Sequence, residues 1–185
     1  MARTTRIFAL ALLAVGLLNL AGCQPTTPSP IPTQAILDME QSVFDQINAE
    51  RATAGLDELV MDEAIRKAAR AHSADMVARG FFDHVNPDGH GPAWRLDHAG
   101  IVYVSAGENI AFTNSPTPGD TAVTGWMASP LHRDNILRPQ YDRTGLGVAT
   151  DGAGGFYFTQ DFIGTTAKSG EEPVFDYSEP LAIIE

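Results

Sequence analysis

Apolar residues return every three to four positions from Ile36 onward. Ile36, Met39, Val43, Phe44 and Ile47 fall on one side of a helix, and Gly55 punctuates the run soon after Arg51. A second helical stretch is sharper: Asp62 supplies a capping side chain, Ile65, Ala68, Ala69, His72 and Met76 share a face, and Gly80 closes it. The segment "FFDHVNPDGHG" breaks the period with Asn-Pro and Asp-Gly pairs and reads as a loop. Pro92 opens a short helix through His98 that stops near Gly100. "IVYV", residues 101–104, reads as a short strand. A helix begins near Asp120 and runs to about Ala128. There the Ser129-Pro130 pair interrupts it, because the residue before proline avoids helical geometry. Ser129 then reads as the cap of a further short helix over 131–136.

The pattern changes in the last third. "RTGLGVAT" and "GFYFTQDF" are rich in strand formers and flank the Gly-rich link "DGAGG", which predicts a hairpin. Past Thr165 the chain is acidic and turn-rich, and its end, "PLAIIE", reads as an edge strand or a frayed terminus. Helices followed by strands predict an α+β domain with helices covering an antiparallel sheet.

Residues 1–22 stand apart from this pattern. Arg3 and Arg6, an apolar run of about a dozen residues and small residues before Cys23 form the layout of an export signal. Leu20-Ala21-Gly22-Cys23 resembles the bacterial lipobox, in which the thiol takes up a diacylglycerol and becomes the new N-terminus. With about 0.8 kcal/mol for each buried methylene, two or three acyl chains hold a protein on a membrane durably. Gln24 follows, and the absence of Asp there points to the outer membrane in a double-membrane bacterium. Residues 23–33 hold the acylated Cys and a Pro/Thr-rich linker, "QPTTPSPIPT". The folded domain is expected over 34–164 and an acidic tail over 165–185.

Charge narrows the partners. The formal net charge is −11, and an acidic chain of this kind repels phosphate backbones, which argues against nucleic acid. Cys23 is the one cysteine, so no internal disulfide forms. The length suggests one domain with appendages, and the chain is expected to be a monomer.

The chain carries no HExxH, P-loop, CxxC or GxSxG motif. What remains is a small set of polar residues near breaks in structure. His72 sits on an apolar helix face and reads as a core histidine bonded to backbone or a carboxylate. His90 and His98 are assigned no role. His84 in its loop, Glu108 in "AGENIA" and His132 past a helix end are placed where side chains project into clefts. Two imidazoles and a carboxylate suit Zn²⁺ or another divalent cation. The same three suit proton exchange, with Glu108 orienting a histidine base. Ser129, three residues before His132, reads as a helix cap first and as a nucleophile second. Arg133, Asp134 and Asn135 read as makers of local hydrogen bonds.

"ARAHSADMVARGFFDH", "AGENIA", "GWMASPLHRDNIL" and "YDRTGLGVA", in that order and spacing, resemble the bacterial branch of the CAP superfamily. That superfamily contains cysteine-rich secretory proteins, antigen 5 and plant pathogenesis-related proteins, and its domain is also called SCP. The resemblance spans roughly residues 36–162. It implies a three-layer α-β-α sandwich with a central antiparallel sheet, and a cleft with a tetrad of two His and two Glu. Motif by motif, the first His falls on His84, the Glu of "GEN" on Glu108 and the second His on His132. The second Glu belongs to a "WxxE" phrase, which here is "WMAS", with Ser129 in the acid's place. The tetrad is therefore incomplete.

Three functions are compatible with these observations. The first is a lipid-anchored envelope module whose cleft binds a divalent metal and a small lipid, glycan or peptide. The second is a hydrolase of ester or peptide bonds using Ser129 or a bound water. The third is a structural surface protein without a ligand.

Overall fold

The computed structural model describes residues 33–166, 175–177 and 180–183. The signal segment, Cys23 and most of the linker lie outside the described residues.

Local chemistry sets the helix ends. Helix α1, Gln34–Thr53, starts where the Thr33 hydroxyl accepts from the Ile36 amide. Strand β1, Val60–Met61, is brief. Helix α2, Glu63–Arg79, begins at Asp62, whose carboxylate accepts from the Ala64 and Ile65 amides. It ends at Gly80, whose φ of 66° suits a residue without a side chain. Helix α3, Pro92–His98, opens on the predicted proline. Strand β2 is Ser105–Thr113, followed by α4, Pro118–Ala128, and α5, Pro130–Ile136. Strands β3, Arg143–Thr150, and β4, Phe156–Gly164, form the expected hairpin. Two short strands follow: β5, Phe175–Tyr177, and β6, Leu181–Ile183.

The sheet has six strands in the order β1-β3-β4-β2-β5, with β6 also on β2. Its centre, β3-β4-β2, is antiparallel as expected. Its margins are parallel: β1 pairs with β3, and β5 and β6 pair with β2. The sheet as a whole is therefore mixed. "IVYV" is not a strand. The β2–β4 ladder ends at Ser105 opposite Gly164, so residues 101–103 have no β4 partner to continue it. Val102 is 87% exposed in consequence.

Strand alternation divides the core. Ala111, Leu146, Val148, Phe158 and Phe162 meet Val43 and Ile47 of α1, Val123 and Trp126 of α4 and Ile136 of α5. On the other face Ala106 and Ile163 meet Ile65 of α2 and Leu96 of α3. The result is the three-layer α-β-α sandwich. Its second interface is unusually close. A Cβ on Gly145 would lie 2.2 Å from the Arg66 amide nitrogen, and one on Gly147 would lie 2.2 Å from that of Arg70. Glycine lets the α2 backbone rest on β3. Glu40 of α1, fully buried, fastens the corner: it accepts from Arg66 at 2.7 Å, Arg70 at 2.5 Å and the Val148 amide at 3.1 Å.

Candidate functional site

Glu108 stands in the middle of β2, two residues from Ala106 and so on the face covered by α2 and α3. The segment between those helices bends back over it. Within that segment the Asp83 carboxylate accepts from the Val85 amide, and the Asn86 side chain accepts from the Asp88 and His90 amides. These turns deliver His84, whose Nδ1 lies 2.6 Å from Glu108 Oε1. Arg95, three residues into α3 from Pro92, closes the group. One of its nitrogens donates to the His84 and His90 carbonyls at 2.9 and 3.1 Å, and Nη2 donates to Glu108 Oε2.

Electrostatics agree with this geometry. Burial works to raise the Glu108 pKa, but the Arg95 charge and the His84 hydrogen bond overcome it and bring the carboxyl to about 2. Glu108 is therefore an anion at neutral pH. An anion facing Nδ1 makes that nitrogen the donor of the contact: Nδ1–H donates to the acid. His84 lies within the shell but retains 8% exposure.

His132 sits on α5 and is bonded differently. Its Nδ1 lies 2.7 Å from Ser129 Oγ. Its carbonyl accepts from Asn109 Nδ2 at 3.0 Å, and Asn135 Nδ2 donates to Asn109 Oδ1 at 3.0 Å and to the Glu108 carbonyl at 3.4 Å. Asn109 and Asn135 thus tie α5 to the strand that carries Glu108. The predicted residues form two side-chain pairs, His84–Glu108 and His132–Ser129, attached to one strand. Ser129 is the N-cap of α5 by position, yet its side chain makes no cap hydrogen bond.

The donor set does not match a centre on His84, Glu108 and His132. Among the described residues no three His, Cys, Asp or Glu side chains are grouped so as to hold a metal ion. Glu108 is paired with an imidazole on one oxygen and a guanidinium on the other, and His132 turns its Nδ1 to Ser129 instead of to Glu108.

Sequence reasoning did not find Arg95, Asn109, Asn135 or Asp161. Asn135, expected to act locally, bonds across to β2. Asp161 was detectable as an acid inside an otherwise buried strand run. His72 is the expected core histidine. Its Nε2 bonds the Asp83 carbonyl at 3.0 Å, and burial lowers its pKa to about 4, so it is neutral. His90 and His98 stack on opposite sides of Trp94, each 3.6 Å from it between ring centroids. A groove of about 600 Å³ lies between α2 and α3, with Trp94, His98 and Arg95 on its wall.

The family model described as "Cysteine-rich secretory protein family", CAP, matches residues 44–162. The chain belongs to the CAP family. This CAP domain is 40% identical over 139 residues to the uncharacterized protein YkwD of Bacillus subtilis, covering 75% of the present chain and 51% of YkwD. It thus spans about half the length of that relative. Among solved structures, an extracellular SCP-domain protein of Bacillus anthracis is 30% identical with a TM-score of 0.65, over 74% of this chain and 45% of that one. An outer surface protein of Borrelia burgdorferi shares the fold, with a TM-score of 0.65 at 18% identity, over 74% of this chain and 97% of that one. The Bacillus anthracis protein is described as extracellular, and a second Bacillus subtilis relative, YlbC, 34% identical over 124 residues and matched over 34% of its length, is described as a membrane protein.

Proposed function

We propose that this CAP domain is exported, is tethered to the bacterial envelope through a lipid on Cys23, and uses the group around His84 to bind a small envelope ligand: a lipid, a glycan or a peptide. The observation that carries the binding reading is the His84–Glu108–Arg95 group. Glu108 and Arg95 neutralise each other, and Glu108 fixes the orientation of an imidazole, a ring able to hydrogen-bond a ligand hydroxyl or amide. The extracellular and surface locations of the relatives support export, and the Leu20–Cys23 motif supports the anchor. Binding of phospholipid vesicles, glycan fragments and short peptides should be compared between the wild type and His84→Ala. Saturable binding by one class, weakened tenfold or more in the variant, is expected. Equal binding by both proteins would overturn the assignment. Cys23→Ser is expected to shift the protein from the membrane fraction to the soluble one.

One contact favours a second reading. Ser129 Oγ lies within nucleophile-to-base distance of His132. Covalent labelling of Ser129 by a fluorophosphonate, with turnover of an ester lost in Ser129→Ala, would favour a hydrolase over a binding module.

A further inference from the structure

Asp161 stands opposite Glu108 in the β2–β4 ladder. Directly opposed residues of an antiparallel pair hold their Cβ atoms about 5 Å apart on one face. Two carboxyl groups therefore share the space beneath α2 and α3, and both are fully buried. Glu108 has His84 and Arg95. Asp161 is in a different position: among the described residues, neither Oδ1 nor Oδ2 accepts from any N–H or O–H group. Its backbone carbonyl does accept from Thr144 Oγ1 at 2.7 Å, so the strand is tied while the carboxyl is not. A buried carboxylate without donors costs several kcal/mol. A carboxylic acid beside an acceptor avoids that cost, and the acceptor facing Asp161 is Glu108.

We propose that Asp161 is the second carboxyl of this site, a positioning residue that carries one proton, donates it in a hydrogen bond to Glu108, and so holds Glu108 toward His84 and Arg95 as the single anion of the pair. The charged and titratable groups around the pair are consistent with that balance. Arg95 comes from α3, His84 from the loop, and a neutral His72 from α2, so one guanidinium meets one carboxylate. Burial drives the Asp161 carboxyl well above the ordinary carboxylate range, the negative Glu108 adds to the shift, and Arg95 opposes it. The "WMAS" phrase has no acid at position 129. The second acid of this domain comes instead from β4.

The use of Asp161 in ligand binding rests on the His84 reading above, but its proton is testable without any ligand. Infrared spectra of the full chain at neutral pH, with and without ¹³C at the Asp carboxyl, should show a protonated-carboxyl C=O band that moves with the label and is missing from Asp161→Asn. Proton NMR of the His84 Nδ1–H supplies the positioning readout. Asp161→Asn keeps an N–H donor toward Glu108 and should preserve that resonance. Asp161→Leu fills the space without a donor and should shift it. No label-sensitive band in the wild type, a band that persists in Asp161→Asn, or one His84 resonance common to all three proteins would overturn the proposal. Should the band be present while His84→Ala leaves ligand binding intact, the proton assignment stands and the binding reading falls.

Discussion

Ser129 Oγ stands 2.7 Å from Nδ1 of His132, so the hydroxyl that opens α5 turns to a side chain three residues on and not to the amides of its own helix. Ser129→Ala therefore loses one hydrogen bond and no cap. A loss of unfolding free energy no greater than about 1 kcal/mol is expected in urea titration. A loss of several kcal/mol would show that the hydroxyl holds the helix start after all.

His72 makes stability depend on pH. Burial lowers its pKa from 6.5 to about 4, so the folded chain keeps the ring neutral where the unfolded chain takes up a proton. Stability is fully present above pH 6.5 and is lost as pH falls toward 4, by on the order of 3 kcal/mol. His72→Gln, which retains a donor for the Asp83 carbonyl, should flatten that part of the profile. Chemical denaturation at a series of pH values checks it, and parallel profiles for the two proteins would contradict it.

Gly145→Ala places a methyl group 2.2 Å from the Arg66 nitrogen and 2.3 Å from the Ile65 carbonyl carbon. Both atoms are backbone, so no rotamer change relieves the clash, and α2 must lift from β3. Destabilisation of about 3 kcal/mol is expected, read as a lowered midpoint of thermal or urea unfolding. An unchanged midpoint would mean that the helix rides higher than described.

Calorimetric titration with Zn²⁺ tests the metal reading directly. A centre on His84, Glu108 and His132 requires the His84–Glu108 contact to open and His132 to turn from Ser129, so no stoichiometric Zn²⁺ site dependent on Glu108 is expected at neutral pH. A one-to-one heat that disappears in Glu108→Gln would show that the carboxylate does rearrange.

Helix ends were legible because they depend on neighbours in sequence. Asp62 caps its own first turn, Gly80 takes the left-handed turn that ends the same helix, and Pro92 starts α3. The hairpin was legible for the same reason. Strand β2 was not. Eight of its nine residues are buried, so "SAGENIAFT" shows no alternation, while of the more apolar "IVYV" just before it only Val104 reaches β4, through one amide bond to the Gly164 carbonyl. His84, Glu108 and His132 were named by resemblance to a family, since nothing in their spacing brings them together. Their actual partners depend on ladder register and on a loop folding back. That is why Arg95 beside Glu108, Asp161 opposite it and Asn135 beneath it emerged only in three dimensions.

The chain's last strands have a consequence for anyone who shortens it. On the side away from β4, strand β2 is paired by β5 at Ala106–Glu108 and by β6 at Ala111–Thr113. A version truncated before Phe175 would bare the amides and carbonyls of those residues, and such a row recruits strands from other molecules. Poor solubility of that shortened version would then report a lost self-made cover and would say nothing about the integrity of the sandwich beneath it.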